Sequence, residues 1–299
     1  MEATVEVVIG GPDVPGPLVS SRPANEKAIT LSAEDGRFLT DHKIDGKAVL
    51  PAVMELEWMA KAAREAFPAL HITDIHDFAV LKGVVVEGEL RLTLAWEAVA
   101  PSRTGQTALS FQLMGAPTPA GLPALHYKGT VELGTERPTT SPFPGSNGLG
   151  KHRYPYAVDE AYKNFLFHGP ALRGIQQVVG VSDHGIVARL KASEPRALDI
   201  DAEAWETDPV VLDSALQCMV LWVRQTKGAS ALPCYVDSYR QYRPFAGEVT
   251  VHMDFKPSRT ARGTFEATLV GEDGDIVATL SGAEYTSNPG LNPVFRADA

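Results

Sequence analysis

Two stretches of the chain carry the hydrophobic spacing of an α-helix. Between Pro51 and Phe67, apolar residues recur every three or four positions, and Pro68 follows directly. This spacing gathers the apolar side chains on one face, while proline is favoured in the first turn of a helix and just beyond its end. The second stretch, Val210–Thr226, is apolar almost all round and follows a Thr-Asp-Pro start. We predict a helix over each stretch, the second one wrapped by sheet.

Eleven further runs have the composition of β-strands. They are rich in Val, Leu, Thr and aromatic residues, and glycine, proline or polar turns separate them. This combination is typical of antiparallel strands. The predicted strands are Ala28–Leu31, Ile75–Leu81, Leu90–Val99, Thr107–Met114, His126–Leu133, Gln176–Val181, Gly185–Leu190, Leu232–Tyr239, Glu248–Phe255, Thr264–Val270 and Asp275–Tyr285.

The strands and helices fall into two similar halves. The segment 134–150 is rich in glycine, proline, serine and threonine and has little to bury, so it is interpreted as a linker. We therefore predict an N-terminal unit over residues 1–133 and a C-terminal unit over residues 151–299. Each unit combines one long buried helix with several antiparallel strands, which is an α+β fold.

Composition and charge narrow the class of protein. The 299 residues are 44% hydrophobic and 21% charged, which is ordinary for a globular protein. Two cysteines are too few for a disulfide framework, and neither a membrane span nor a secretion signal is visible, so we expect a cytoplasmic protein. The net charge of −10 argues against nucleic acid or an anionic membrane as the main partner.

A small set of polar residues could carry acid–base chemistry. His42 lies in a short loop before the first predicted helix, where Gly46 permits a tight turn and Pro51 sets the helix start. Asp213 and Gln217 are four residues apart on the apolar second helix, so they share one face. Burial there raises the pKa of a carboxyl group and lets it hold a proton near neutrality. A neutral histidine and a carboxylic acid together suit elimination of water next to a carbonyl.

The same residues resemble the motifs of the double-hotdog dehydratase domains of polyketide and polyunsaturated fatty acid synthases. The first family motif is a histidine, three residues, a glycine, four residues and a proline, and it is met at His42, Gly46 and Pro51. The second is an aspartate, three residues and a glutamine or histidine, met at Asp213 and Gln217.

A third family segment lies between these two motifs. It usually reads tyrosine-glycine-proline, and here it is His168, Gly169 and Pro170, with histidine in the tyrosine position. Ala52 stands where the family commonly has glycine after the proline of the first motif. We expect His168 either to line the site and donate a hydrogen bond in place of the tyrosine or simply to cap a turn.

The resemblance implies a fold, a reaction and partners. Each half would be a hotdog, a long helix wrapped by an antiparallel sheet, with one site between them. His42 would take a proton from C2 of a 3-hydroxyacyl thioester, Asp213 would protonate the leaving C3 hydroxyl, and Gln217 would orient Asp213. Backbone amides near Gly46 and the helix start would hold the thioester carbonyl.

The family's substrate travels on the phosphopantetheine arm of an acyl carrier protein, with no metal or other cofactor. The expected partners are therefore that carrier, neighbouring synthase domains and, through the synthase architecture, a second copy in a homodimer. Two other interpretations stay open. A related hotdog enzyme could use the same residues for double-bond isomerisation or product-template cyclisation, and an inactive pseudo-dehydratase could bind acyl chains as a scaffold.

Overall fold

The computed structural model describes residues 25–103, 105–117, 121–146 and 148–295. In the described residues of the first half there are two helices and eight strands. Their bounds are β1 Asn25–Ser32, α1 Arg37–Thr40, β2 Lys43–Ile44, β3 Lys47–Val49, α2 Ala52–Ala66, β4 His71–Val80, β5 Val85–Val86, β6 Glu89–Val99, β7 Thr107–Pro117 and β8 Pro123–Gly134.

As far as the structure describes it, the second half contains two helices, six strands and three short 3₁₀ turns. The helices and strands are α3 Val158–Phe165, β9 Ile175–Ser182, β10 Gly185–Lys191, α4 Pro209–Lys227, β11 Ser230–Gln241, β12 Glu248–Phe255, β13 Arg262–Gly271 and β14 Ile276–Asn288. The 3₁₀ turns are Pro170–Leu172, Pro195–Leu198 and Pro289–Leu291.

One antiparallel sheet runs through both halves. Its eleven strands follow the order β1-β6-β7-β8-β4-β11-β14-β13-β12-β10-β9, and the halves join where β4 pairs with β11. The register at this seam sets Tyr235 opposite Ala79 and Tyr239 opposite Ile75. Helix α2 packs on the strands of the first half and α4 on those of the second, and the two helices contact each other. This arrangement confirms the double-hotdog fold predicted for the chain.

Helix α4 is the more enclosed of the two long helices, as its sequence predicts. Asp208 caps its start by accepting hydrogen bonds from the backbone N–H groups of Val210 and Val211. Fourteen of its nineteen residues are buried, and the residue that follows its end, Gly228, has a φ of 67°, a left-handed conformation that favours glycine. In the described part of the chain, no helix combines the length and apolar character needed to cross a membrane.

The predicted long elements are present, and the structure adds short ones. Helix α2 spans Ala52–Ala66 against a prediction of Pro51–Phe67, whereas β4 begins four residues earlier than predicted, at His71. The hairpin of β2 and β3, the strand β5 and the helix α3 were not predicted, because each is too short for a clear hydrophobic period. The unit boundaries proposed from the sequence remain predictions.

Two glutamates of α2 are buried, whereas Glu65 and Ala66 at the end of the helix are exposed. Glu57 accepts hydrogen bonds from the backbone of Glu206 and from both the backbone and the hydroxyl of Thr207. It thereby ties α2 to the residues that precede α4. Glu55 is completely buried, and neither of its carboxyl oxygens has a hydrogen-bond partner. Burial raises the pKa of Glu55 to about 8, so the side chain is neutral at pH 7.

We expect the variant Glu55→Met to melt at a higher temperature than the parent at pH 8, by at least about 2 °C. The pKa of Glu55 is higher in the folded protein than in the unfolded chain, so the unfolded chain binds fewer protons above pH 4.5. The stability that Glu55 contributes is complete below that pH and is lost as pH rises towards 8. Thermal unfolding at pH 5 and pH 8 checks this expectation.

The exposed Glu65 of the same helix provides the control, since Glu65→Met removes a carboxylate that is already solvated. Its effect should not grow between pH 5 and pH 8. An equal change in melting temperature for Glu55→Met at both pH values would contradict a buried, neutral Glu55.

Candidate active site

The short hairpin of β2 and β3 holds His42. Asp45 and Gly46 form its turn with φ values of 53° and 70°, a pair of left-handed conformations that favours glycine at the second position. The backbone N–H of Val49 donates to the carbonyl of His42 over 2.9 Å, which closes the hairpin. His42 Nδ1 lies 2.6 Å from the Val49 carbonyl oxygen. A carbonyl only accepts, so Nδ1 carries the proton and Nε2 keeps the free lone pair.

A second segment, residues 168–172, is held against the hairpin. His42 and His168 form an antiparallel bridge, and the backbone N–H of Gly169 donates to the Asp41 carbonyl over 2.7 Å. Asp41 Oδ2 also accepts from the N–H of Ala171 over 2.6 Å. A Cβ atom on Gly169 would lie 2.5 Å from Cγ of Asp41, so the approach requires glycine. Asp41 therefore clamps the two halves together beside His42.

Asp213 projects from α4 and is held by Gln217. The Gln217 amide nitrogen donates to Asp213 Oδ2 over 2.7 Å and to the Leu172 carbonyl over 2.8 Å. Its amide oxygen accepts from the hydroxyl of Tyr162 over 2.8 Å. Every polar atom of the Gln217 side chain is thus engaged, which fixes its orientation and that of Asp213. The contact with Leu172 links Asp213 to the segment that Asp41 clamps.

The three segments bring His42, His168 and Asp213 into one buried group. One side-chain nitrogen or oxygen from each lies within 4.8 Å of the other two, and none of the three residues is more than 7% exposed. His168 Nε2 is 3.2 Å from Asp213 Oδ2, which also receives the Gln217 amide. Neither contact uses Asp213 Oδ1. Two imidazoles and a carboxylate are also donors that a divalent cation accepts.

Burial shifts the pKa values of His42 and Asp213 in opposite directions. Burial lowers the pKa of His42 to about 4, and its hydrogen bond to Val49 only partly opposes this shift. Burial also raises the pKa of Asp213 to about 7, against the opposing hydrogen bond from Gln217. Loss of hydration disfavours the charged form of each group. Between these two values the site contains a neutral imidazole and a protonated carboxyl group.

His168 is also neutral. Burial lowers its pKa well below the usual value, and the positive charge of Arg173, or of His42 when that ring is protonated, acts in the same direction. Its contact with Asp213 is therefore a hydrogen bond and not an ion pair. The Nδ1 atom of His168 is buried without a hydrogen-bond partner, and the ring stacks on Phe167 with centroids 4.0 Å apart.

A mainly apolar cavity of about 100 Å³ opens onto this group. The polar side chains in its wall include His42, His168, Asp213 and Gln217. Its other lining residues are Ile44, Val49, Leu50, Ala52, Val80, Gly83, Tyr127, Phe167, Leu216, Val220, Ala231, Leu232 and Pro233.

The other predicted site residues lie beside the cavity and not in its wall. Gly46 lies in the hairpin turn, and Pro51 precedes the first residue of α2 in an extended conformation. Gly169 and Pro170 shape the clamped segment, and Pro170 begins its 3₁₀ turn. These four residues contribute backbone geometry, whereas Leu50 and Ala52 next to Pro51 reach the cavity.

Sequence reasoning missed Asp41 and Tyr162. Asp41 was visible only as the acidic neighbour of His42, and its partners lie about 130 residues further along the chain. Tyr162 belongs to the unpredicted helix α3, and its hydroxyl both donates to Gln217 and accepts the N–H of Ile175. No local pattern marks either residue, because each role depends on a distant partner.

Two family models match the chain in succession. Residues 24–113 match the model described as polyketide synthase dehydratase domain, and residues 146–293 match the one described as polyketide synthase dehydratase N-terminal domain. The first match contains the His42 hairpin and the second contains the 168–172 segment and α4.

A curated relative and a solved dehydratase domain are similar to the chain. One of the polyunsaturated fatty acid synthase proteins of Thraustochytrium sp. is 31% identical over 219 residues, which cover 72% of this chain and 8% of that protein. The dehydratase domain from the CurF module of the curacin polyketide synthase has a TM-score of 0.71 at 17% identity, covering 88% of this chain and 93% of that one.

A trans-acyltransferase polyketide synthase enoyl-isomerase superposes with a TM-score of 0.63 at 12% identity, covering 87% of this chain and 98% of that one. The fold alone therefore does not select the reaction. The chain spans only a small part of the length of its curated relative. With both halves matched by dehydratase models in the order of the chain, the protein belongs to the polyketide synthase dehydratase family.

Proposed function

We propose that this chain removes water from a 3-hydroxyacyl thioester and releases a 2-enoyl thioester. One observation carries the proposal: a free imidazole lone pair on His42 and the carboxyl group of Asp213 face one buried, mainly apolar cavity. A base and an acid are the two groups that this elimination needs. Because each is neutral before reaction, the burial of the pair costs little electrostatic energy.

In the proposed reaction, His42 Nε2 takes the proton from C2 and the electron pair of that C–H bond forms the C2–C3 double bond. The C3–O bond breaks, and Asp213 Oδ1 supplies the proton that makes the leaving hydroxyl water. Oδ1 is the donor because Oδ2 already contacts Gln217 and His168. Proton return from His42 to Asp213 then restores both groups, so no other reactant is consumed.

The thioester carbonyl needs a hydrogen-bond donor, since removal of the C2 proton drives negative charge onto its oxygen. The first backbone N–H groups of α2 have no partner within the helix, and Ala52 lies in the cavity wall next to Leu50. We assign the carbonyl to this helix start. The N–H groups of Val49 and Leu50 are already bonded, to the carbonyls of His42 and Val84, so they do not take this role.

The acyl group would arrive on the phosphopantetheine arm of an acyl carrier protein, and neighbouring synthase domains would supply and receive it. The cavity is too small and too buried to admit a protein, which supports a substrate on a flexible arm.

We further propose that no metal takes part, because His42 and Asp213 already supply both proton transfers. Activity that persists after treatment with a chelator would support this, and activity restored only by a divalent cation would contradict it.

His42→Ala and Asp213→Asn should each lower the rate of dehydration by at least about a hundredfold, because each removes one of the two proton-transfer groups. Mass spectrometry of a 3-hydroxyacyl thioester incubated with the protein measures the loss of water. The exposed residues His184 and Asp201 provide matched controls. His184→Ala and Asp201→Asn should react at the parental rate.

Near-parental activity of either site variant would remove that residue from its role. Migration of a double bond without loss of water would instead favour an isomerase. No turnover by the parent, with acyl binding retained, would favour an inactive scaffold.

The pH dependence of kcat/KM should be bell-shaped. Activity should rise with pH as His42 loses its proton, around its pKa of about 4, because only the neutral imidazole accepts a proton. It should fall as Asp213 ionises, around its pKa of about 7, because the carboxylate has no proton to give. Initial rates between pH 4 and pH 9 test both limbs. Full activity well above pH 8 would contradict Asp213 as the acid.

Gln217→Leu should move the alkaline limb to higher pH by about one unit. The Gln217 amide donates to Asp213 and so stabilises the carboxylate; without it the pKa of Asp213 rises further. The same pH series on Gln217→Leu measures the shift. Gln225, an exposed residue of the same helix, gives the control Gln225→Leu, which should leave the limb unchanged. If the alkaline limb of Gln217→Leu lies at the parental pH, Gln217 does not influence the pKa of Asp213 and its role is purely structural.

A further inference from the structure

The group formed by His42, His168 and Asp213 has the donor atoms of a zinc site. Zinc is often held by three side chains, drawn from histidine and a carboxylate, with water as the fourth ligand. One nitrogen or oxygen of each of these side chains lies within 4.8 Å of the other two. In the described part of the chain, no other set of histidine, cysteine, aspartate or glutamate side chains forms such a group.

Two of the donor atoms already have the spacing that zinc requires. Bonds of about 2.0 Å to a tetrahedral ion place neighbouring ligand atoms about 3.3 Å apart. His168 Nε2 and Asp213 Oδ2 are separated by 3.2 Å, which matches this spacing. The donor atom of His42 lies within 4.8 Å of one on each of the other two residues, so movements of about 1–2 Å complete the set.

Hydrogen bonds hold two of the three side chains in an orientation that suits a metal ion. A histidine ligand usually donates its second ring N–H to a carbonyl or a carboxylate, and a carboxylate ligand is itself hydrogen-bonded. His42 Nδ1 lies 2.6 Å from the Val49 carbonyl oxygen, which leaves Nε2 for the ion. The Gln217 amide donates to Asp213 Oδ2 over 2.7 Å. These partners orient His42 and Asp213 before an ion arrives.

His168 loses little when it exchanges its hydrogen bond for a metal ion. Its Nε2 contacts Asp213, and a zinc ion between the two replaces that single contact by two bonds to metal. Its Nδ1 is buried without a hydrogen-bond partner, so a change of tautomer at this ring breaks no further hydrogen bond. The ring stacks on Phe167, with centroids 4.0 Å apart, which limits its motion.

The cavity beside the three residues has room for the fourth ligand. Its volume is about 100 Å³, and a water molecule occupies about 30 Å³ of liquid. Imidazole nitrogens favour zinc and its neighbours among the transition metals. Magnesium and calcium need six or more oxygen ligands, which a mainly apolar wall does not supply.

We propose that His42, His168 and Asp213 bind one Zn²⁺ ion, and that the bound ion reversibly blocks dehydration. The ion occupies the Nε2 lone pair of His42, which therefore takes no proton from C2, and it engages the carboxylate of Asp213. The inhibition rests on the proposed function, whereas the zinc site rests on the geometry of the three side chains. A reaction without a metal agrees with this role, since a chelator then removes only an inhibitor.

Isothermal titration calorimetry of the chelator-treated protein with zinc chloride tests the site directly. One ion should bind per chain, and excess Mg²⁺ should not displace it. His168→Phe retains a ring beside Phe167 but has no ligand nitrogen. It should weaken zinc binding by at least about a hundredfold, because the loss of an outer hydrogen-bond partner alone costs ten- to a hundredfold. The matched control His184→Phe alters an exposed histidine and should bind zinc as the parent does.

A second variant and a spectroscopic probe keep the test decisive if His168→Phe does not fold. Asp213→Asn removes the charged ligand at nearly constant shape and should also weaken zinc binding, whereas the exposed Asp201→Asn should not. Co²⁺ in place of zinc should give the intense visible absorption of a four-coordinate ion. Parental zinc affinity in folded His168→Phe or Asp213→Asn would overturn the proposed site. So would weak binding of several ions, or no binding by the parent.

Zinc should inhibit the dehydration of a 3-hydroxyacyl thioester competitively, with an inhibition constant equal to the calorimetric Kd. Zinc that binds at the three residues without slowing dehydration would overturn the inhibitory role. A failure of the proposed function looks different. In that case the chelator-treated parent would release no water from the thioester, while its zinc binding would still depend on His168 and Asp213.

Discussion

The site depends on one contact between the two halves, in which Asp41 holds residues 169–171 with its carbonyl and its carboxylate. These two hydrogen bonds set His168 beside His42, and the same segment presents the Leu172 carbonyl to Gln217, which in turn holds Asp213. The positions of His42 and Asp213 are thus coupled through backbone groups and not only through the packing of helices on the sheet. A charged acceptor on a backbone donor is a strong, directional restraint.

Burial at this contact sets the protonation states of His42 and Asp213. An exposed histidine and an exposed aspartate would be largely ionised in the wrong sense for this elimination at pH 5 to 6, with protonated imidazole and free carboxylate. Burial reverses both states, since it lowers the pKa of His42 and raises that of Asp213. Gln217 limits the second shift, so the carboxyl group can still release its proton in the pH range where cells operate. In the proposed reaction, the packing that encloses His42 and Asp213 therefore sets the protonation state of both groups.

Local patterns in the sequence determined the two long helices, most strands and the pairing of Asp213 with Gln217, because a spacing of four residues is a neighbour relation within one helix. The motif resemblance predicted that His42 and Asp213 would meet. Only the tertiary structure decided how they do so, since Asp41 and Leu172 act on partners from other elements. It also decided that Glu57 is buried. In the sequence Glu57 shares a polar stripe with Lys61 and Arg64, yet in the structure it packs against Thr207, 150 residues away. Periodicity reports which face of an element is apolar, but a hydrogen bond between distant segments leaves no periodic trace.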